Sequence, residues 1–459
     1  MMANFLPMKT RPPTSQEKPL ANGATFRFLG VFSVFGLLCL GVIHHDSGQL
    51  LVRDQLQLSG FLAMLILFGA GALLLRFSPK WMLGLALCLR MGWFVNEPAF
   101  TDDHFRYLHE GQATLNHLAA PYNHPPIEYT DQTEFTWATQ VNHPQVTSSY
   151  FPLVQFFFAL PAGLGSVIGH HFFLLRLLLM GFELGVLLFF WRHCFSESSR
   201  PRLSFTMYAF HPLPLLEVYG NSHSDIVGVF LFLIAVFLFR QRTGYRTFFF
   251  AAAAHVKPFL LAFVFFLKGP SRSKNILWTF LLFAAMMLPH HFFGAQLLSG
   301  FFTYAKNWHA FSIGFGLFDS ISGLFLSSPP GWVVRLACGL AWLLSLLLIW
   351  RPKIKEPTII NKIYWSMFSF WIFFPTVHPW YLLWLLPLAC LERHLFGWFW
   401  CAFWLWHYLV LPDYHAGLGW QEPVWPRWIL VSCAMGLLAW KQRYQASPSS
   451  PPTPKDYAS

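Results

Sequence analysis

Charge is what this sequence has least of. Asp, Glu, Lys and Arg make up 11% of its 459 residues, against about 25% in a soluble globular domain. So few charges cannot coat a soluble particle of 53.0 kDa. Hydrophobic residues reach 55%, with 52 Phe and 21 Trp among them, and mean hydropathy is +0.45, which excludes a disordered chain. Cysteine is sparse and scattered. Cys39, Cys88, Cys338, Cys390, Cys401 and Cys433 lie in apolar stretches, Cys194 sits beside a basic loop, and none forms a CxxC pair. That pattern signals neither a metal site nor a disulfide framework. Also missing are a glycine-rich nucleotide loop and any internal repeat of the roughly 20–50 residues that would mark a solenoid.

What is present is membrane-spanning material. A transmembrane helix needs ~20 apolar residues, so this composition supplies about twelve spans. The apolar runs place them near 27–46, 59–76, 80–96, 172–191, 203–219, 224–240, 275–291, 331–350, 361–377, 379–391, 395–411 and 426–441. Segment 247–267 either crosses once or forms a re-entrant hairpin broken at Lys257-Pro258, since Pro removes a helix donor. The piece 151–169, interrupted by Pro161 and glycines, reads as juxtamembrane. The chain divides into a cytoplasmic segment 1–25, a membrane domain 26–441 and a disordered cytoplasmic tail 442–459.

The net charge of +11 follows the membrane rather than nucleic acid. Lys and Arg collect in short runs between spans (Arg76–Lys80, Arg192–Arg202, Arg240–Arg246, Lys268–Lys274, Arg351–Lys362), as cytoplasmic loops do under the positive-inside rule. Both termini are then inside. The longest polar segment, 97–150, falls outside, and its seven acids against the single Arg106 agree.

Chemistry concentrates on that outer side. Asp102 and Asp103 are adjacent carboxylates at the mouth of a helix. Such a pair can act as a general base, or hold a divalent ion with help from Glu110. Asp102 is favoured as nearer the helix mouth, and a solvated acidic loop is the bland alternative. Ionisable groups at membrane depth carry a stronger signal, because each costs ~2.5 kcal/mol or more unless paired or used. Glu217, His223 and Asp225 surface on the same side as the Asp pair, although Asp225 could simply cap its helix. Lys257 lies among Ala and Phe with no acid near it in sequence. Lys306, Trp308 and His378 occupy further external loops; Trp380 fits an interfacial aromatic belt.

These residues fall into a familiar order. T-D-D-H-F-R-Y-L-H-E-G at 101–111 resembles the D-D-x-x-R-Y-L-W-D-G loop of bacterial GT-C class glycosyltransferases. Asn142-His143-Pro144 with Tyr150 to Gln155 is similar to their N-H-P…Y-P-P-L-x-Q segment. His211 to Asp225 resembles N-P-L-x-x-x-E…G-N-x-H-x-D, Tyr304 to Ser312 resembles Y-x-x-x-W-x-F-N with one extra residue, and His378 to Tyr381 matches H-P-W-Y. Departures occur at His109, Ala120, Phe151, His211 and Ser312, which leave the carboxylate at Glu110 but alter the surroundings of a sugar.

The resemblance, strongest for the mannosyltransferase-like branch, implies an all-α polytopic membrane protein. Its form would be a GT-C type bundle of about 11–13 transmembrane helices with a long first external catalytic loop, 97–171. It implies an inverting transfer of a hexose, mannose by that branch, in the bacterial inner membrane. The donor would be a polyprenyl-phosphate sugar, the acceptor an envelope glycolipid or glycan, and a divalent metal such as Mg or Mn is compatible with some relatives. Asp102 or Asp103 would be the catalytic base. Arg106, Tyr107, Glu110, Asn142, His143, Glu217, His223, Asp225, Lys257, Lys306, Trp308 and His378 would bind substrate, with Lys257, Lys306, Arg106 or His378 stabilising the leaving phosphate. The competing class is a transporter or lipid-linked sugar flippase without glycosyl transfer. Against it, the two halves do not repeat, and the acids gather on one face rather than at mid-membrane.

Overall fold

The computed structural model describes residues 55–432 except 75–78, 95–97, 99, 133–136, 197–200, 239–242, 267–271, 327–329, 353–356, 426 and 430. The expected segment 1–25, first span 27–46, most of the span 426–441 and the tail 442–459 lie outside the described residues. Within them the backbone is helical, and isolated bridges of Ala310 and Phe311 to Thr376 are its only β pairing.

Apolar runs in lipid leave the backbone only itself to bond with, and helices follow. Helices α1 (Gln55–Leu74) and α2 (Pro79–Phe94) precede the polar loop. Helix α3 (Asp103–Asn116) opens that loop and α4 (Pro152–Ile168) closes it. Then come α5 (His171–Ser196), α6 (Pro201–Ala209), α7 (Asp225–Leu238) and α8 (Thr243–Val256). Helices α9 (Arg272–Phe292), α10 (Ser299–Asn307), α11 (Ile313–Gly323), α12 (Gly331–Trp350) and α13 (Ile359–Phe373) follow. The described part ends with α14 (Leu386–Glu392), α15 (Leu395–Phe403) and α16 (Val410–His415).

His171–Arg192, Arg272–Phe292, Gly331–Trp350 and Leu395–His415 are long and apolar enough to cross a membrane. Helix α12 displays the solvent it is built for. Trp332, Leu336, Leu340 and Leu347 are each more than half exposed on it, which water would penalise and lipid does not. The chain is an all-α, multi-pass membrane protein.

Several of the apolar segments are not simple helices. Segment 203–219 runs as α6, breaks at His211 before two prolines, and resumes as a π-helical turn over Leu215–Gly220. Segment 361–377 leaves the helix at Phe373, and Ala310 then donates its N–H to the Pro375 carbonyl and accepts at its own carbonyl from the Val377 N–H. Segment 247–267 does break at Lys257, where α8 ends and a 3-10 helix, Pro258–Phe266, begins. Conversely, 152–168 is one continuous helix despite Pro161.

Two glycines and one ion pair position the site. A Cβ on Gly111 would collide with the Phe158 carbonyl, so α3 and α4 meet backbone to backbone there; a Cβ on Gly300 would strike the Thr147 and Ser148 carbonyls, seating the loop on α10. Arg90 of α2 donates to both oxygens of Glu183 of α5 at 2.8 and 2.7 Å and to the Ala209 carbonyl at 2.8 Å. Tyr219 of the π turn adds a hydroxyl bond to Glu183 at 2.7 Å. A bidentate, fully buried pair with its spare valences filled is the form in which charge survives inside a bundle. It ties α2, α5, α6 and the π turn together beneath the polar end.

Candidate active site

The loop's two aspartates are bridged by one amide. Asn142 Nδ2 donates to Asp102 Oδ1 at 2.6 Å and to Asp103 Oδ1 at 2.9 Å. Asn142 is itself held because Arg106 donates to its backbone carbonyl at 2.5 Å and to the His143 and Val146 carbonyls at 3.1 and 3.3 Å. Asp102 occupies the N-cap position of α3 without making a side-chain cap bond and stays exposed. The residue that turns inward is Asp103, whose side chain is 18% exposed and whose Oδ2 lies 3.8 Å from His223 Nδ1. Burial, then the charge of Asp102, pushes the Asp103 carboxyl up to about 6, against the opposing pull of Asn142, Arg106 and Lys257. A carboxylate so tuned is ionised at neutral pH and yet basic enough to take a hydroxyl proton.

Glu110 does not join this pair. It stands seven residues along α3 from Asp103, ~10 Å by helical rise. Its carboxylate accepts from Ser148 Oγ at 2.6 Å, Gln155 Nε2 at 2.7 Å and Arg106 Nη1 at 3.2 Å. The expected help from Glu110 in holding an ion is therefore corrected: it fastens the loop to α3 and α4. Among the described residues no three His, Cys, Asp or Glu side chains converge as a metal cage requires. A cation between Asp102 and Asp103 would also have to displace the Asn142 amide. Among the described residues these side chains make no dedicated cage for Mg or Mn, and no step below passes through one.

Beneath Asp103 runs a buried polar line. Tyr107 OH and His223 Nδ1 are 3.4 Å apart, and His223 Nε2 is 3.4 Å from Glu217 Oε2. Glu217 accepts from Tyr408 OH at 2.8 Å and from Asn221 Nδ2 at 3.2 Å. Ser222, immediately before His223, takes a left-handed φ of 65°, and the His223 N–H bonds the Glu217 carbonyl at 2.8 Å. A π turn ending in a strained serine thus aims the imidazole inward, a local irregularity typical of functional positions. Trp380 is no interfacial belt residue. Its indole stacks on His223 at 4.0 Å and on His378 at 4.3 Å.

The cations sort themselves by surroundings. Lys257 has an acid near it after all, across 32 residues of sequence: its Nζ is 3.6 Å from Asp225 Oδ1 and 3.8 Å from the centroid of the Tyr381 ring. Asp225 also accepts from Trp384 Nε1 at 2.7 Å, so it serves as a hub rather than merely a cap. Burial, then Lys257, lowers His378 to about 3, so it offers a hydrogen bond rather than a charge. Arg106 is committed to Glu110 and loop carbonyls, and Lys306 is exposed on α10. Aromatic rings join the loop to Lys257. His143 meets Trp308 edge-on at 4.8 Å, Trp308 stacks on Tyr304 at 5.4 Å, and Tyr304 OH lies 2.8 Å from Tyr381 OH.

Asp102, Asp103, Arg106, Tyr107, Asn142, His223, Glu217, Asp225, Lys257 and His378 are thus brought to one end of the bundle, with His143 and Trp308 on its rim. Lys306 stands apart, and Glu110 acts through the loop. Ser148, Trp384 and Tyr408 carry no signal in the sequence and become informative only once partnered with the buried acids Glu110, Asp225 and Glu217. A base, a cation paired across an aromatic face, and stacked rings on which sugar C–H faces can lie make an arrangement suited to glycosyl transfer. No curated protein and no solved structure matches the chain. The family model described as alpha-(1->6)-mannopyranosyltransferase, N-terminal domain, matches residues 23–269. That stretch contains every aspartate and glutamate of the site together with His223 and Lys257. It is more than half of the sequence, and the chain belongs to this family of mannosyl-transferring glycosyltransferases.

Proposed function

We propose that the protein moves a mannosyl unit from a polyprenyl-phosphate donor to an envelope glycolipid or glycan. The transfer takes place at the external face of a bacterial inner membrane, with inversion at the anomeric carbon. The observation that carries the reading is the inward-turned Asp103, with Oδ1 held by Asn142 and Oδ2 turned toward His223. Asp103 Oδ2 takes the acceptor proton while the acceptor oxygen attacks the anomeric carbon. The bond from that carbon to the lipid phosphate breaks, and its electron pair leaves on the phosphate. One base and one displacement invert the centre. Lys257, within coulombic range of Asp103, meets the charge that develops on the phosphate, where a fixed cation in a poorly solvated site is most effective. The acidic loop 97–150 and the basic runs opposite it support the external placement. A sequence without a glycine-rich nucleotide loop suits a lipid donor.

The test is transfer from synthetic polyprenyl-phosphate mannose to an α-1,6-mannoside acceptor in detergent, with wild-type, Lys257→Met and Lys257→Met/Asp225→Asn proteins. The double variant removes both charges, so that no orphaned carboxylate confuses the result. Transfer should fall at least ~10²-fold in both. Undiminished transfer would remove Lys257 from the account. Wild-type protein that carries the lipid across liposomes without forming a glycosidic bond would return the assignment to a flippase.

A further inference from the structure

Behind the base, two titratable side chains without solvent contact stand in line. Asp103 Oδ2 faces His223 Nδ1 at 3.8 Å, and the opposite ring nitrogen, Nε2, faces Glu217 Oε2 at 3.4 Å. His223 and Glu217 are each 0% exposed. The imidazole cannot tilt freely, because one of its faces lies on Trp380, whose other face lies on His378. His223 Nε2 makes no hydrogen bond, although it sits within a few tenths of an ångström of one. Contacts of this kind tighten when substrate closes a site.

Resting on the assignment of Asp103 as base, we propose that His223 and Glu217 form a proton relay that draws the acceptor's proton off Asp103 and into the protein. At rest the ring carries its proton on Nε2, toward Glu217, which leaves the Nδ1 lone pair open to Asp103, with the Tyr107 hydroxyl beside it. When Asp103 takes the acceptor proton, three transfers balance. The acceptor O–H breaks and Asp103 O–H forms; Asp103 O–H breaks and Nδ1–H forms; Nε2–H breaks and Glu217 O–H forms. Asp103 is again a carboxylate, His223 is still neutral, and the proton rests on Glu217. It returns by the same route once product leaves and the partly exposed Asp103 meets water.

The surrounding charges favour this direction. Lys257, His378 and His104 face His223, and burial together with His378 and Lys257 keeps the ring well below its ordinary range. It therefore passes a proton without holding an extra one. Asp102, Arg106 and Lys257 face Asp103. Tyr408 OH and Asn221 Nδ2 both donate to Glu217 and so hold it as the resting carboxylate, while the charge of Asp225 favours its taking the proton. Neither His223 nor Glu217 touches the sugar on this account; both act through Asp103.

Single-turnover transfer from synthetic polyprenyl-phosphate mannose, measured across H2O/D2O mixtures, tests the relay. In wild type the rate should curve with deuterium fraction, since more than one proton moves with the bond change. His223→Phe preserves the stack on Trp380 and Glu217→Gln preserves shape. In each the plot should become linear and the rate fall ~10-fold or more with unchanged donor affinity. The double variant should be no slower than either alone, because the two residues act as one unit. A linear wild-type plot, or curvature that survives Glu217→Gln, overturns the relay. If Asp103→Asn still abolishes transfer in that case, the base assignment stands without it; if Asp103→Asn transfers normally, the base assignment itself has failed.

Discussion

Replacing Asp102 with Asn should move the acidic limb of the pH–rate profile downward, and the structure supplies the size and sign. The base must be ionised to act, so kcat/KM falls as Asp103 gains a proton. With the Asp103 carboxyl at about 6, half the plateau is lost near that pH. About a tenth survives one unit lower, by simple titration. Burial is the larger cause of the raised value and the charge of Asp102 the second. Removing only the charge should shift the limb by roughly half a unit to one unit, as for a partly screened neighbouring charge. It should remain above the ordinary 3.8, because burial is untouched. Asn142→Ala should act oppositely, since the amide that stabilises the carboxylate is gone and the limb rises. The assay is initial-rate transfer with limiting donor between about pH 4.5 and 8, with stability checked at each pH. A wild-type limb near 4, or one indifferent to both substitutions, would refute the reasoning.

Two further outcomes test the frame around the site. Glu183→Ala leaves the Arg90 guanidinium buried with only carbonyl and ring partners; thermal unfolding in detergent should show a loss of ~3–5 kcal/mol, and a variant as stable as wild type would remove the pair from the account. A cysteine introduced at Gln132, exposed on the loop, should react with an impermeant thiol reagent in intact cells; reaction only after permeabilisation would reverse the proposed orientation.

Much of this arrangement was legible because membranes make charge expensive. Asp102, Asp103, Glu217, Asp225 and Lys257 stand out in an apolar sequence, and all gather at one end. Their pairing was not legible. Lys257 looked solitary because its acid lies on α7, and only the packing of α7 against α8 brings Asp225 to it. Glu110 looked like a third ligand because it shares a loop with the aspartates, but two helical turns carry it away. Between the aspartates, nearness to the helix mouth favoured Asp102, whereas the start of α3 turns Asp103 inward and leaves Asp102 in solvent. Trp380 has the composition of a belt residue and the position of a spacer between two histidines. Arg90 and Glu183 had a signal that went unread: each is an ionisable residue in an expected span, and at that depth each requires a partner. The break at His211 was foreshadowed by Pro212 and Pro214, although the length of the apolar run concealed it.

The most direct measurement is a single turnover by Asp103→Asn protein that has bound synthetic polyprenyl-phosphate mannose beside an α-1,6-mannoside acceptor. The substitution keeps the side chain's shape and its place beside Asn142 while removing the proton acceptor. Donor affinity should stay close to wild type while transfer slows by at least ~10²-fold. Transfer at the wild-type rate would contradict the role of Asp103 as base.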